Sequence, residues 1–345
     1  MTSLPLFAVF TPLVAALLAP LVAKPLGARA GLVLALAFAP ALALLSLVEA
    51  ARTLPVASSL PWVPAIGLEI ALRADGFSLL FAVLVAGVGV LVMAYASAYL
   101  GRGERFGRFY SYLLLFGGSM LGLVLADNLI ALFAFWELTS ITSFLLIGFW
   151  HERPASQDGA LKALFVTASG GLALLVGVIL LALGGESLLL SELNAEALRS
   201  SPYFLPAMML LILAAFTKSA QLPFHLWLPT AMEAPTPVSA YLHSATMVKA
   251  GVVLLAKFGF LFVATALSDL IMWVGLVTMV WGSYLALKQT DLKALLAYST
   301  VSQLGLLTSL YGAGAPFAGT AHLINHAAFK AALFLVVGII DHETK

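Results

Sequence analysis

The amino-acid sequence predicts an all-α fold, a polytopic membrane bundle of about eleven transmembrane helices. Of its 345 residues, 62% are hydrophobic and 10% are charged, whereas about 25% of the residues in soluble domains are charged. Apolar runs recur along the whole chain, and each is long enough to cross a hydrocarbon layer of about 30 Å as a helix. Runs of this length satisfy their backbone hydrogen bonds internally as helices, unlike the short alternating strands of outer-membrane barrels.

The apolar runs place the predicted spans in order along the chain. The first run, from Leu4 to Ala23, lacks the basic n-region and the cleavage site of a signal peptide, so we expect it to be retained. Between the sixth and seventh spans, Ser187–Ser201 mixes leucines with charged residues, which predicts a loop with a short interfacial helix. The predicted spans are residues 4–23, 30–50, 76–99, 109–126, 128–150, 160–184, 203–222, 237–264, 267–287, 293–312 and 317–340.

Lys and Arg residues set the predicted orientation, because they collect in cytoplasmic loops. Odd-numbered loops and the C-terminal tail carry most of the basic residues outside the spans, whereas even-numbered loops carry only Arg52, Arg73 and Arg199. The N-terminus is therefore predicted to face outward. The remaining lysines fall within or near the ends of apolar spans; they are Lys218, Lys249, Lys257 and Lys330.

Composition excludes several classes of function. The net charge of +1 and the lack of a basic stripe argue against nucleic acid as a partner. The chain has no cysteine, so it offers no disulfide framework, thiol nucleophile or Cys-ligated metal cluster. It also has no Gly-rich phosphate loop and no nucleophile elbow. We therefore expect neither an enzyme nor a bound cofactor.

Ionisable side chains inside the apolar spans are the candidate functional residues. Such a residue at the centre of a membrane helix costs about 2.5–3.5 kcal/mol on insertion scales, so it normally faces a partner or a water-filled cavity. Glu137 sits nearly halfway along the fifth span, too deep to reach either surface. Its charge indicates ion transfer, and a structural ion pair between helices is the alternative.

Lys218 lies five residues before Pro223, and a proline inside a helix removes a donor and clashes with the preceding turn. The seventh span should therefore be broken there, a device that transporters use to bind ions. Snorkelling to the interface is the alternative for Lys218. In the eighth span, His243 and Lys249 are six residues apart, so a regular helix would turn them about 120° away from each other. Lys257 lies nearer the end of that span, where snorkelling competes with a functional role.

His322, His326 and Lys330 recur at intervals of four residues in the eleventh span, so they form one polar stripe on an otherwise apolar helix. Histidine exchanges protons near neutral pH, and burial makes lysine able to do so. The stripe therefore resembles a proton wire. Two histidines four residues apart can also bind zinc, but neither a His-Glu-x-x-His pattern nor any cysteine accompanies them.

A long run of consecutive residues carries a family resemblance. Lys218–Pro229 reads Lys-Ser-Ala-Gln-Leu-Pro-Phe-His-Leu-Trp-Leu-Pro, Glu233–Ala240 reads Glu-Ala-Pro-Thr-Pro-Val-Ser-Ala, and His243–Gly251 follows. These motifs strongly resemble the antiporter-like family, which comprises large membrane subunits of respiratory complex I, membrane-bound hydrogenases and Mrp-type Na⁺/H⁺ antiporters. Asp291–Gln303 and the His322–Lys330 stripe support it.

Within that family, Trp136–Ser140, the lysine at position 249 and the closing Gly338–Thr344 are most similar to the A subunits of Mrp antiporters. The resemblance implies a subunit of a hetero-oligomeric cation/proton antiporter in the inner (plasma) membrane of a prokaryote, moving protons and Na⁺. A pumping subunit of complex I or of a membrane-bound hydrogenase is the alternative, and a structural spacer with inert ion pairs is a third.

The resemblance also implies roles for the candidate residues. Glu137 and Lys218 would form the charge-pair switch of one half-channel, and Lys249 would pass protons onward. A Lys/His relay would then lead toward a second half-channel through His322, His326 and Lys330. His243 is a further candidate residue of the site.

The family builds two inverted five-helix repeats, each with a broken helix that carries a lysine. By that resemblance, residues 1–108 form N-terminal helices, residues 109–264 a complete first repeat, and residues 265–345 an incomplete second repeat. We expect the chain to be an N-terminal portion of a longer subunit. The alternative is a shortened protein whose second half-channel comes from another chain.

Overall fold

A computed structural model describes residues 3–46, 55–66, 68–100, 105–263 and 265–344. Within these ranges the chain is helical apart from one two-stranded sheet. Eight helical stretches of the described residues are long and apolar enough to cross a membrane, and the first, Leu4–Ala43, covers the first predicted span and much of the second. The chain is thus a multi-pass helical membrane protein, whereas the count of about eleven spans stays a prediction.

The N-terminal helices lie within or close to the first two predicted spans. Helix α1 (Leu4–Leu26) begins with Pro5 in its first turn, where the missing N–H costs no helical hydrogen bond. A tight turn at Gly27–Arg29 follows, and Gly27 adopts a φ of 56°, which favours glycine. Helices α2 (Ala30–Leu34) and α3 (Ala39–Ala43) come next. The last residues of the predicted second span, 47–50, lie outside the described residues.

A β-hairpin precedes the third predicted span, and the all-α prediction omits it. Strands β1 (Val56–Val63) and β2 (Leu68–Ala74) pair antiparallel, with Val56 opposite Ala74. In β2, Leu68, Ile70 and Leu72 alternate with other residues at the two-residue period of a strand. That alternation is the sequence signal for the hairpin.

Three long helices follow the hairpin. Helix α4 (Gly76–Tyr99) is capped by the Asp75 carboxylate, which accepts a hydrogen bond from the Ser78 backbone N–H at 2.8 Å. Helix α5 (Phe106–Leu125) is followed almost at once by α6 (Leu129–Ile147). Asn128 caps α6 by accepting hydrogen bonds from two N–H groups of its first turn.

The loop between the sixth and seventh predicted spans contains the predicted short helix. Helix α7 (Pro154–Gly185) ends at Glu186, and α8 (Ala195–Ser200) starts at Asn194, whose side chain caps it. The helix within Ser187–Ser201 is therefore confirmed.

Short α-helices separated by turns and by single 3₁₀ turns make up residues 204–262, which we call the interrupted segment. They are α9 (Phe204–Lys218), α10 (Trp227–Thr230), α11 (Thr236–Ser244), α12 (Ala250–Lys257) and α13 (Gly259–Phe262). The predicted break before Pro223 is confirmed, because α9 ends at Lys218. The eighth predicted span, 237–264, overlaps the apolar stretch Thr236–Lys257, but its α-helix is interrupted between Ser244 and Ala250.

Three uninterrupted helices follow, namely α14 (Ala266–Leu287), α15 (Leu292–Gly312) and α16 (Pro316–Glu343). We call α14 and α15 the glycine hairpin, because glycines let their backbones approach closely. A Cβ atom on Gly282 would lie 2.6 Å from the Ser302 backbone nitrogen, and one on Gly275 would lie 2.5 Å from that of Ser309.

The chain divides into two compact units. The first unit is Met1–Leu146 with Leu188–Glu192, and the second is Ile147–Ser187 with Leu193–Lys345. Glu137 belongs to the first unit, and every other candidate residue belongs to the second. The predicted division into residues 1–108, 109–264 and 265–345 stays a prediction.

Candidate functional site

Glu137 lies near the middle of α6, a 19-residue helix, and its side chain is half-buried. The neighbouring Trp136 is fully buried, as is Thr139. The Thr139 hydroxyl donates a hydrogen bond to the Trp136 carbonyl at 2.7 Å, so it is satisfied within its own helix. Glu137 thus lies on a continuous helix beside fully buried neighbours.

Lys218 is the last residue of α9 and is fully buried. Its side chain does not reach a surface, so the snorkelling alternative is wrong for this lysine. The C-terminal end of a helix carries a partial negative charge, which favours a cation placed there. The end of α9 therefore stabilises an ammonium group in an apolar environment.

Hydrogen bonds to other residues satisfy the backbone groups that the break after Lys218 leaves free. The Gln221 N–H donates to the Phe216 carbonyl at 2.9 Å, and the Trp227 indole N–H donates to the Thr217 carbonyl at 3.0 Å. The Leu222 N–H donates to the Thr278 hydroxyl of α14 at 3.1 Å. Because a buried backbone group without a partner is costly, these bonds stabilise the break.

A second interruption, which sequence reasoning missed, carries Lys249. The Thr246 hydroxyl donates to the Tyr241 carbonyl at 2.6 Å, and Ser244 donates to the Ala240 carbonyl. Such bonds from Ser and Thr to the preceding turn compete with helical backbone bonding, and two closely spaced hydroxyl residues are the available signal. Lys249 is fully buried and directly precedes α12.

This interruption corrects the predicted geometry of the eighth span. The angle of about 120° between His243 and Lys249 assumed a regular helix, which the chain does not form there. His243 is fully buried between two aromatic rings, with centroids 6.5 Å from Trp227 and 6.2 Å from Phe334. It therefore packs α11 against α16. Lys257, at the end of α12, is half-buried.

The polar stripe of the eleventh predicted span lies on one continuous helix, α16. His326 and Lys330 are fully buried, and His322 is half-buried. The His322 and His326 rings are stacked with centroids 6.4 Å apart. The stripe thus brings two imidazoles and an ammonium group into one row, as the four-residue spacing predicts.

Helix α15 supplies hydrogen-bond partners to this stripe. The Lys330 ammonium donates to the Ser299 hydroxyl at 2.8 Å and to the Leu296 carbonyl at 3.1 Å. A ring nitrogen of His322, Nε2, lies 2.7 Å from Gln303 Oε1. Sequence reasoning assigned no role to Ser299 or Gln303, although their four-residue spacing puts them on one face of α15.

Several buried polar atoms of the second unit have no hydrogen-bond partner among the described residues. They include Gln221 Oε1, Lys249 Nζ and both ring nitrogens of His243 and of His326. Buried polar atoms are normally bonded to protein or to ordered water, so this group forms a polar interior within an apolar bundle. Lys249 and Lys330 also repel each other electrostatically when both are charged. The lysines and histidines among these groups can accept, hold and release protons.

In the part of the chain that the structure describes, no three His, Asp or Glu side chains are grouped so that they could hold a metal ion.

Comparison with known sequences gives two family matches. Residues 126–345 match the family described as NADH:quinone oxidoreductase/Mrp antiporter, transmembrane. Residues 62–110 match the family described as NADH-ubiquinone oxidoreductase (complex I), chain 5 N-terminus.

Curated relatives and solved structures agree with these matches. The chain is 52% identical over 325 residues to Na⁺/H⁺ antiporter subunit A1 of Staphylococcus haemolyticus, with 88% of this chain and 40% of the relative covered. It is 51% identical over 311 residues to the Staphylococcus aureus protein of the same name, covering 84% and 38%. It thus spans about 40% of the length of these relatives.

A structure of the Mrp complex from a Dietzia species superposes with a TM-score of 0.92 at 42% identity, covering 99% of this chain and 38% of that one. An archaeal membrane-bound sulfane sulfur reductase superposes with a TM-score of 0.83 at 22% identity, covering 97% and 71%. The second likeness is one of fold alone.

Proposed function

Because this chain belongs to the NADH:quinone oxidoreductase/Mrp antiporter transmembrane family, we propose that it is the proton-translocating part of a multisubunit antiporter that exchanges Na⁺ for protons. The observation that carries the proposal is the full burial of Lys218, Lys249 and Lys330 in one unit of an apolar bundle. Ionisable residues inside membrane segments are costly and mark ion pathways. The relatives named as Na⁺/H⁺ antiporter subunits supply the choice of ions.

The first step of the proposed path is a switch between Glu137 and Lys218. A nearby carboxylate favours the charged form of a lysine, whereas burial favours the neutral form. When the two groups approach, Lys218 holds a proton; when they separate, it releases the proton toward Lys249. The position of Lys218 at the end of α9 supports its assignment as the group that holds the charge.

The second step is a relay through the interior of the second unit. Lys249 directly precedes α12, and the N-terminal end of a helix disfavours a cation. Lys249 is therefore suited to hold a proton only transiently. The path continues along α16 through Lys330, His326 and His322. His243 lies beside α16, between two aromatic rings.

The path leads toward a second half-channel. Other membrane subunits complete the complex. The distribution of Lys and Arg residues supports an N-terminus on the outer side of a bacterial inner membrane.

Transport by everted vesicles that contain the assembled complex tests this proposal. We expect Glu137→Gln and Lys218→Ala each to lower Na⁺-driven proton movement at least about 100-fold, the contribution typical of a positioned proton-transfer group. Lys162→Ala is the control, because Lys162 is an exposed lysine of α7. Wild-type transport by both Glu137→Gln and Lys218→Ala would contradict the proposal.

A redox-driven pump is the second candidate, because residues 62–110 match a family of complex I. In that case the energy would come from electron transfer on partner subunits. Purification of the native complex separates the candidates: flavin or iron–sulfur subunits among the co-purifying chains would favour the redox pump, and their absence would favour the antiporter.

A further inference from the structure

We propose that Ser219 is a positioning residue that couples the two lysine-bearing breaks, so that Lys218 and Lys249 change state together. The inference rests on the proposed function, because it concerns proton transfer between these lysines. It assigns a role to a hydroxyl group that carries no charge and exchanges no proton.

The contact that carries this inference joins the two breaks directly. The Ser219 hydroxyl donates a hydrogen bond to the Val248 carbonyl at 2.7 Å, across 29 residues of chain. Ser219 directly follows Lys218, and Val248 directly precedes Lys249. A single hydrogen bond therefore connects the backbone next to one lysine with the backbone next to the other.

Both ends of this bond lie where the helix is interrupted. Ser219 follows the last residue of α9, and Val248 lies in the tight turn Met247–Lys249 before α12. Backbone at a break can change its dihedral angles without disrupting a long helical ladder, so breaks are where transporters move. A bond between two breaks transmits motion, whereas a bond within one helix only stabilises it.

Close packing around the bond leaves little room for independent motion. Ser219 is almost fully buried, and Val248 is fully buried. A methyl group on Gly251 would overlap the Ala215 carbonyl oxygen and the Ser219 hydroxyl. The α9 and α12 backbones are therefore in direct contact beside the bond, and a shift of one break displaces the other.

The surrounding contacts distinguish this bond from ordinary stabilisation. Ser244, also fully buried, bonds the Ala240 carbonyl of its own helix. Thr217 likewise donates to the Ala214 carbonyl of its own helix at 2.8 Å. Ser219 instead bonds a residue of the other lysine-bearing break.

Two variants of equal shape test the role of the hydroxyl in the assembled complex. Ser219→Thr keeps a hydroxyl group, and Ser219→Val replaces it with a methyl group of similar size. We expect Ser219→Val to lower the maximal rate of Na⁺-driven proton movement about tenfold relative to Ser219→Thr, as befits loss of one buried hydrogen bond. The KM for Na⁺ should change less than twofold, because the bond acts on transfer between the lysines and not on ion binding. Rates are normalised to assembled complex. Ser119→Ala is the control expected to keep the wild-type rate, because Ser119 is fully buried and bonds the Leu115 carbonyl within the uninterrupted helix α5.

The outcomes separate this inference from the proposed function. Equal rates for Ser219→Val and Ser219→Thr would overturn it, as would a change in KM as large as the change in rate. If Lys218→Ala abolishes transport while Ser219→Val is as active as Ser219→Thr, only the coupling role fails. If Lys218→Ala and Glu137→Gln are both as active as wild type, the proposed function and the coupling role of Ser219 both fail.

Discussion

The glycine hairpin and the interrupted segment lie in the same unit but are built in opposite ways. Helices α14 and α15 run for 22 and 21 residues without a break, and their glycines bring the two backbones together. No described helix of the interrupted segment exceeds the 15 residues of α9. Its breaks are stabilised by hydrogen bonds to side chains and to other segments.

This contrast follows from what drives helix packing in lipid. Apolar side chains gain little from leaving lipid for another apolar surface, so close backbone contact between small residues holds a membrane hairpin together. The hairpin contains no buried lysine on its described faces. The interrupted segment has shorter helices, and buried lysines lie at its breaks. The difference separates a closely packed pair of helices from the breaks that carry Lys218 and Lys249.

The largest expected effect comes from removing a charge from the interrupted segment. Lys249→Met replaces a buried ammonium with an apolar chain of similar length, and we expect transport by everted vesicles to fall at least about 100-fold. Assembly of the complex should be retained, because the Lys249 ammonium has no hydrogen-bond partner among the described residues and its removal relieves the cost of burying it. Lys257→Met is the control, since Lys257 is only half-buried at the end of α12. If Lys249→Met lost assembly as well as transport, the interrupted segment would contribute to assembly as the glycine hairpin does, and the two regions would not differ in role.

In the glycine hairpin we expect a smaller effect, which falls on assembly and stability and not on transport. In Gly282→Ala the new Cβ atom would lie 2.6 Å from the Ser302 nitrogen, and overpacking of this kind costs about 1–3 kcal/mol. We expect a lower yield of assembled complex and a lower melting temperature, with near-normal transport per assembled complex.

Gly87→Ala in α4 is the matched control for Gly282→Ala, because nothing lies within 4 Å of a Cβ atom at Gly87. Replacing glycine with alanine inside a helix stabilises it by about 0.5–1 kcal/mol, so this variant should assemble at least as well as the wild type. A transport defect per complex in Gly282→Ala would show that the hairpin takes part in the chemistry.

Sequence reasoning predicted the regular parts of the fold well. Apolar runs located most helices within a few residues, and Pro223 predicted the break after Lys218, because these features depend on local chemistry. The interruption at Ser244–Lys249 has neither proline nor glycine inside it, so it was missed. It depends on hydroxyl groups bonding to the preceding turn, which is a weaker signal.

The candidate site was predicted in part, for the same reason. The His322–His326–Lys330 stripe follows from a helical period that the sequence displays. The partners Ser299 and Gln303 and the contacts of Ser219 and Thr278 join residues far apart in the chain, which no local pattern reveals. The pairing of Glu137 with Lys218 stays a prediction.

The smallest expected effect concerns Thr278, where the two regions meet. The Thr278 hydroxyl accepts a hydrogen bond from the Leu222 N–H and donates one to the Val274 carbonyl, so the rigid hairpin holds one side of the break. Thr278→Val keeps the shape of the side chain but leaves the Leu222 N–H without an acceptor, at a cost of about 1–3 kcal/mol. Because the break can partly rearrange, we expect transport per assembled complex to fall by about three- to tenfold, whereas Thr278→Ser should stay near the wild-type rate. Equal rates for the two variants would show that the break keeps its shape without the hairpin, and the hairpin would then contribute to assembly alone.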